Sequence, residues 1–127
     1  MIELLGEGGM ARVLLTHTAG PAGFNKLLVL KELKEDLAQD PEFLTMFMDE
    51  ARLAARLNHP NVVQTYEVAE HNGRYIIAME YLEGVTLKEL IQGKGALPAG
   101  VGLRVSKQMC AGLNAAHQQG VVHRDIK

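Results

Sequence analysis

Four stretches of this chain carry side chains whose types and spacing could do chemistry. Near the start, Gly6, Glu7, Gly8, Gly9, Met10, Ala11, Arg12 and Val13 form a glycine-rich turn between two strand-like runs. Glycine at such a turn permits positive φ and lets backbone amides approach an anion closely. Lys31 ends the apolar run Leu27-Leu28-Val29-Leu30. An ammonium beside such a strand calls for a carboxylate partner or a bound anion. Glu50 falls in a segment of helical period near Phe47, Ala54 and Leu57, so its carboxylate can turn inward. Finally, Val121 to Lys127 reads "VVHRDIK", with Asp125 framed by the cations Arg124 and Lys127, like the start of a catalytic loop. Each has an ordinary reading when taken singly: a plain hairpin, an edge-strand lysine in solvent, a charge on a solvated helix face, a chance charge pattern.

Context narrows the glycine turn. A dinucleotide-binding fingerprint opens a helix, whereas Arg12 to Thr18, "RVLLTHT", has β character. A Walker loop closes on Gly-Lys-Ser/Thr, and Arg12-Val13 is not that pair. What remains is a flap-like β-hairpin over phosphates.

The elements that must position these groups follow from periodicity. "IELLGEGG", "ARVLLTHT" and "KLLVLKEL" read as three strands, with Gly20, Pro21 and Gly23 turning the chain between the second and third. Asp40 with Pro41 starts a helix over residues 40–58, with Phe43, Phe47, Glu50 or Ala51, Ala54 and Leu57 on one face. "VVQTYEVAE" and "RYIIAMEY" are two further strands joined by a hairpin at Asn72-Gly73. After Gly84 the pattern turns helical. "TLKELIQ" is a short helix capped at Thr86 or the preceding turn, and a longer one runs from near Pro98 to a stop at Gly120. Val101, Val105, Met109, Gly112 and Ala116 trace its apolar stripe, with no second helix to cover it. The expected organisation is therefore one unit over residues 1–81 and the beginning of a helical unit over 82–127.

Composition excludes several classes. With 127 residues, 47 % apolar and 22 % charged, the chain suits one soluble globular domain or rather more than half of a larger one. A formal charge of −2 gives no reason to expect nucleic-acid or anionic-membrane binding. No apolar run approaches the roughly 18 residues of a membrane span, and the N-terminus lacks the pattern of a signal peptide. A lone Cys110 makes no internal disulfide and is expected to serve packing, which fits a cytoplasmic location. His17, His59, His71, His117 and His123 lack metal-ligand spacing.

Taken in order, the glycine hairpin, strand lysine, helix glutamate, β-hairpin and "HRDIK" resemble a eukaryotic-type protein kinase. "GEGGM", "LNHPNVV" and "MEYLEGVTL" are most similar to bacterial serine/threonine kinases. The resemblance implies an α+β fold: a lobe of five antiparallel strands plus one helix, then the first helices of a truncated helical lobe. It implies that Leu5, Val13 and Val29 line an adenine pocket, with Gly6, Glu7, Gly8, Gly9, Met10 and Ala11 over the phosphates. Met79 would be the gatekeeper, and the backbones of Glu80 and Leu82 would meet the adenine edge. Lys31 would hold the α- and β-phosphates, oriented by Glu50. Asp125 would position the substrate hydroxyl and accept its proton, and Lys127 would touch the transferred phosphate. His123 and Arg124 would be structural, Arg124 being also available to an activation-loop phosphate. Lys127 matches the serine/threonine pattern.

Ala11 replaces the third glycine of the loop, at a cost on the order of 1 kcal/mol if positive φ is required there and little otherwise. Val29 stands where alanine is usual. The asparagine and the Asp-Phe-Gly motif that hold Mg²⁺ in the resemblance would lie beyond Lys127. The expectation is thus a kinase acting with ATP and Mg²⁺ on protein serine or threonine, of which these residues are an incomplete and inactive part with no metal ligand of its own. The alternatives are a non-catalytic nucleotide-binding or protein-interaction module, or a small unrelated α+β domain. The uncovered stripe after Pro98 also predicts marginal stability.

Overall fold

The computed structural model describes residues 3–23, 25–124 and 126. The chain divides into two compact units, Met1–Asn58 with Val63–Tyr81, and His59–Val62 with Leu82–Lys127.

The first unit is a five-stranded antiparallel sheet with helices on one face. Its strands are β1 (Glu3–Glu7), β2 (Ala11–Ala19), β3 (Asn25–Leu33), β4 (Thr65–His71) and β5 (Arg74–Glu80), in the spatial order β1-β2-β3-β5-β4. Two helices fall between β3 and β4: a single turn, α1 (Glu35–Ala38), and the longer α2 (Pro41–Ala55). The expectation of one helix therefore gains a short companion, a turn too brief to show a period.

Local chemistry explains most boundaries. Asp40 caps α2 by accepting the Glu42 amide at 2.9 Å, and Pro41 opens the helix, where its missing N–H is no loss. Asn72 (φ 52°) and Gly73 (φ 75°) turn the chain between the paired residues His71 and Arg74. Two consecutive positive φ values make the tight hairpin whose twist matches its strands. Between β2 and β3, a 3₁₀ turn over Pro21–Gly23 does the same work.

The core lies between the sheet and α2. Ala11, Leu33, Phe47, Ala51 and Ile77 form it, and Phe47 is 1 % exposed. On α2, Phe47 and Ala51 are the buried residues. One expectation is corrected at β4. Val62 and Val63 are β-branched and look strand-like, but the strand begins at Thr65. Residues 59–62 instead form a turn, with the Val62 amide on the His59 carbonyl at 3.0 Å, and they group with the second unit.

The second unit holds α3 (Leu87–Lys94) and α4 (Ala99–Gln118). A reciprocal cap starts α3: Thr86 Oγ1 accepts the Glu89 amide at 3.1 Å, and Glu89 accepts the Thr86 amide at 2.7 Å. These bonds favour the ionised form and hold the Glu89 carboxyl below its usual range. At the end of α4, Gly120 (φ 77°) donates to His117 O and Val121 donates to Ala116 O, a Schellman stop. The apolar stripe of α4 is only partly open. Val101 and Met109 are exposed, whereas Gly112 is buried against Asn61 and Val62. Cys110, expected to pack, is exposed.

Candidate functional site

Strand register brings the key groups onto one face of the first unit. Val13 stands opposite Lys31, and Lys31 opposite Ile77; Leu15 stands opposite Val29, and Val29 opposite Met79. Residues paired directly across strands share a face. Val13, Val29, Lys31 and Met79 are therefore neighbours on the surface that also carries Leu15 and Leu33.

Lys31 reaches from this face to α2. Its Nζ lies 2.8 Å from Glu50 Oε1, with side-chain exposures of 29 % and 62 %. The partner carboxylate demanded by a lysine in an apolar strand is present. Glu50 does not sink into the core, however: it lies one position before Ala51, the residue that is buried. The pair is thus half in solvent, where an ion pair adds little stability. Its geometry is more useful for aiming an ammonium than for holding α2.

The glycine-rich turn joins β1 and β2. A bulge between Leu4 and Gly6 leaves Leu5 as the extra residue, and pairing resumes at Gly6–Val13 and Glu7–Arg12. The Gly8 amide donates to Ala11 O at 2.9 Å, and the Lys34 amide donates to Met10 O at 3.0 Å. Positive φ is not what the glycines supply here, because Gly6, Gly8 and Gly9 lie outside that region. A side chain at Gly6 or Gly9 would meet nothing within 4 Å. What they leave is bare backbone that a ligand can approach. Ala11 lies in β2 without positive φ, and its methyl is buried in the core at 5 % exposure, so the substitution for glycine carries no strain.

Glu7 is one of the residues that the resemblance sets over the phosphates, whereas Lys34 was not singled out from the sequence. Lys34 Nζ lies 2.9 Å from Glu7 Oε1, and this hydrogen bond and charge hold the Glu7 carboxyl below its usual range. The signal available was position alone, since Lys34 directly follows β3 and occupies the N-cap position of α1.

At the far end of β5, Met79 is half-buried between Val29 and its β4 neighbour Thr65. The Glu80 amide donates to Gln64 O at 2.8 Å, and its carboxylate accepts the Gln64 amide at 3.1 Å. Leu82 belongs to the second unit and is exposed. Val121, Val122, His123 and Arg124 follow α4 without regular structure, and Arg124 takes φ 65°. Asp125 and Lys127 lie outside the described residues. Among the described residues no group of three or more His, Cys, Asp or Glu side chains could hold a metal ion, and no helix is long and apolar enough to cross a membrane. The implied divalent ion thus finds no ligand set there.

Comparison with known proteins agrees with this arrangement. A family model described as "Protein kinase domain" matches residues 1–127. The serine/threonine-protein kinase PrkC of Bacillus subtilis is 40 % identical over 127 residues, covering 100 % of this chain and 19 % of that protein. PknB of Mycobacterium tuberculosis H37Rv, also named a serine/threonine-protein kinase, is 38 % identical over 130 residues, covering 98 % of this chain and 20 % of that protein. MasK of Myxococcus xanthus, named a tyrosine-protein kinase, is 41 % identical over 138 residues, covering 99 % and 21 %. The chain therefore spans about a fifth of these relatives. Among solved structures, the Mycobacterium tuberculosis PknI kinase domain superposes with a TM-score of 0.75 at 32 % identity, covering 98 % of this chain and 50 % of that one.

Proposed function

This chain belongs to the protein kinase domain family, and from that premise we propose that it forms the nucleotide-binding lobe and the start of the helical lobe of a kinase that phosphorylates serine or threonine in proteins. The observation that carries the proposal is the Lys31–Glu50 pair at 2.8 Å, on the sheet face that Val13 brings beside the glycine-rich turn. Residues 1–81 would be the first lobe and residues 82–127 the beginning of the second.

In this assignment ATP supplies the phosphoryl group, and the residues of the chain bind and orient. Open backbone at Gly6, Gly8 and Gly9 fits the approach of phosphate oxygens. Lys31 places a positive charge on the α- and β-phosphates, and Glu50 sets the direction of that charge. Val13, Val29 and Met79 give an apolar surface for the base. Asp125 would position the substrate hydroxyl and take its proton, with Lys127 on the transferred phosphate. Positioning and charge neutralisation are most of phosphoryl-transfer catalysis. The divalent ion is assigned as Mg²⁺, held by the asparagine and Asp-Phe-Gly motif that the resemblance puts after Lys127. Residues 1–127 contain neither of these motifs, and the 127 residues alone are expected not to transfer phosphate. The formal charge of −2 supports a protein rather than a nucleic-acid partner. The single cysteine supports a cytoplasmic setting.

A γ-phosphate transfer assay with a generic protein substrate tests inactivity; robust turnover by the 127 residues, abolished by Asp125→Asn, would refute it. Calorimetry with ATP tests the site. Saturable binding lost in Lys31→Met supports it, and binding indifferent to Lys31 overturns it.

A further inference from the structure

Glu32 follows Lys31 on β3 and, by strand alternation, faces the other side of the sheet. There it stands directly opposite Arg12 of β2, and its β5 neighbour Ile76 lies two residues from Arg74 on the same face. Arg12 Nη2 lies 2.5 Å from Glu32 Oε1, and Arg74 Nη1 lies 3.7 Å from Glu32 Oε2. The Glu32 side chain is 7 % exposed, so a carboxylate is buried between two guanidinium groups. Such a group is costly to leave unpaired, which makes the Arg12 contact difficult to break.

Arg12 begins the returning arm of the glycine-rich turn. Its outgoing arm ends at Glu7, which Lys34, the residue after β3, holds by an ion pair at 2.9 Å. One arm is therefore tied to the strand that carries Lys31, and the other to the residue that follows it. A glycine-rich turn has much conformational freedom to lose. A ligand that must first order such a segment binds more weakly than one that finds it ordered.

We propose that Glu32 is a positioning residue for the nucleotide: with Arg12 and Arg74 it pre-orders the glycine-rich turn so that its amides meet the phosphates. One strand then serves both faces, Lys31 toward the ligand and Glu32 toward the clamp. The inference rests on the nucleotide site proposed above.

The test measures ATP and adenosine affinity by calorimetry on the 127-residue chain, together with amide exchange across the turn. Glu32→Gln should weaken ATP binding roughly 10-fold, the scale of one charge-assisted hydrogen bond, while adenosine stays within about two-fold. Exchange at Gly8, Gly9 and Met10 should quicken while Val29 stays protected. Should Glu32→Gln fail to fold, Arg12→Met leaves Glu32 its Arg74 partner and should show the same split, with Arg12→Lys retaining most of the affinity. Equal loss of ATP and adenosine would mark a merely structural role and overturn the proposal. Unchanged ATP affinity in Glu32→Gln, with binding still dependent on Lys31, would sink the clamp alone. A wild-type chain that binds no ATP would sink the nucleotide site, and the positioning role with it.

Discussion

Gly112 lies in the middle of α4, where glycine is about 1 kcal/mol less favourable than alanine. On helix propensity alone, Gly112→Ala should stabilise the protein. Packing reverses the sign. An alanine Cβ at this position would stand 2.9 Å from Asn61 O, and 3.4 Å from both Asn61 Cβ and Val62 Cγ2. A backbone oxygen cannot rotate away as a side chain can. Asn61 is also tied down, because its Nδ2 donates to Gln108 O at 3.1 Å. Relieving the overlap means lifting residues 59–62 off the helix. Overpacking of this kind costs about 1–3 kcal/mol, and losing the Asn61–Gln108 bond adds about 1 kcal/mol. Against a propensity gain of about 1 kcal/mol, the net effect is a destabilisation of about 1–3 kcal/mol. Gly102→Ala on the same helix is the control, since a Cβ there meets nothing within 4 Å. It should stabilise by up to about 1 kcal/mol. Urea unfolding followed by helical circular dichroism should lower the midpoint for Gly112→Ala and raise it for Gly102→Ala. If both variants were stabilised alike, the close approach of residues 59–62 to α4 would be wrong.

Glu50→Gln should separate stability from binding. The half-exposed pair is worth under about 1 kcal/mol to folding, so the unfolding midpoint should barely move while ATP affinity falls several-fold; a large stability loss with unchanged affinity would make the pair a structural brace. Glu89 should titrate below 4.5, its ordinary value. Because its folded value is depressed, its contribution to the α3 cap is present above the unfolded value and is lost as pH falls through the folded one. The Thr86 amide shift followed by NMR should show that midpoint in the wild type and not in Glu89→Gln, and a midpoint at or above 4.5 would refute the cap.

Much of this fold was legible because its signals are local. Asp40-Pro41, Asn72-Gly73 and Gly120 each set one or two backbone angles or satisfy nearby amides, and such effects need only a few neighbouring residues. The order of glycine turn, Lys31 and Glu50 was legible too, as a resemblance. The start of β4 was missed because Val62 and Val63 have strand-forming side chains. Their segment instead turns on itself and, at Val62, meets Gly112, a partner fifty positions away. Cys110 was expected to pack on its apolar character, yet its position on α4 turns it to solvent. Ala11 could not be judged as strained or harmless until its φ and its buried methyl were known.

Residue types and short spacings by themselves determined most of the strands, turns and helices, and carried the resemblance that assigns groups to a nucleotide. Tertiary structure decided the rest, because cross-strand register and packing depend on residues distant in sequence. It put Val13, Lys31 and Ile77 in one row, left Glu50 half in solvent while its neighbour Ala51 went into the core, and joined Arg12, Glu32 and Arg74 on the opposite face. Alternation along β3 could say that Glu32 points away from Lys31. Only the pairing of β2, β3 and β5 could say that two arginines wait there for it.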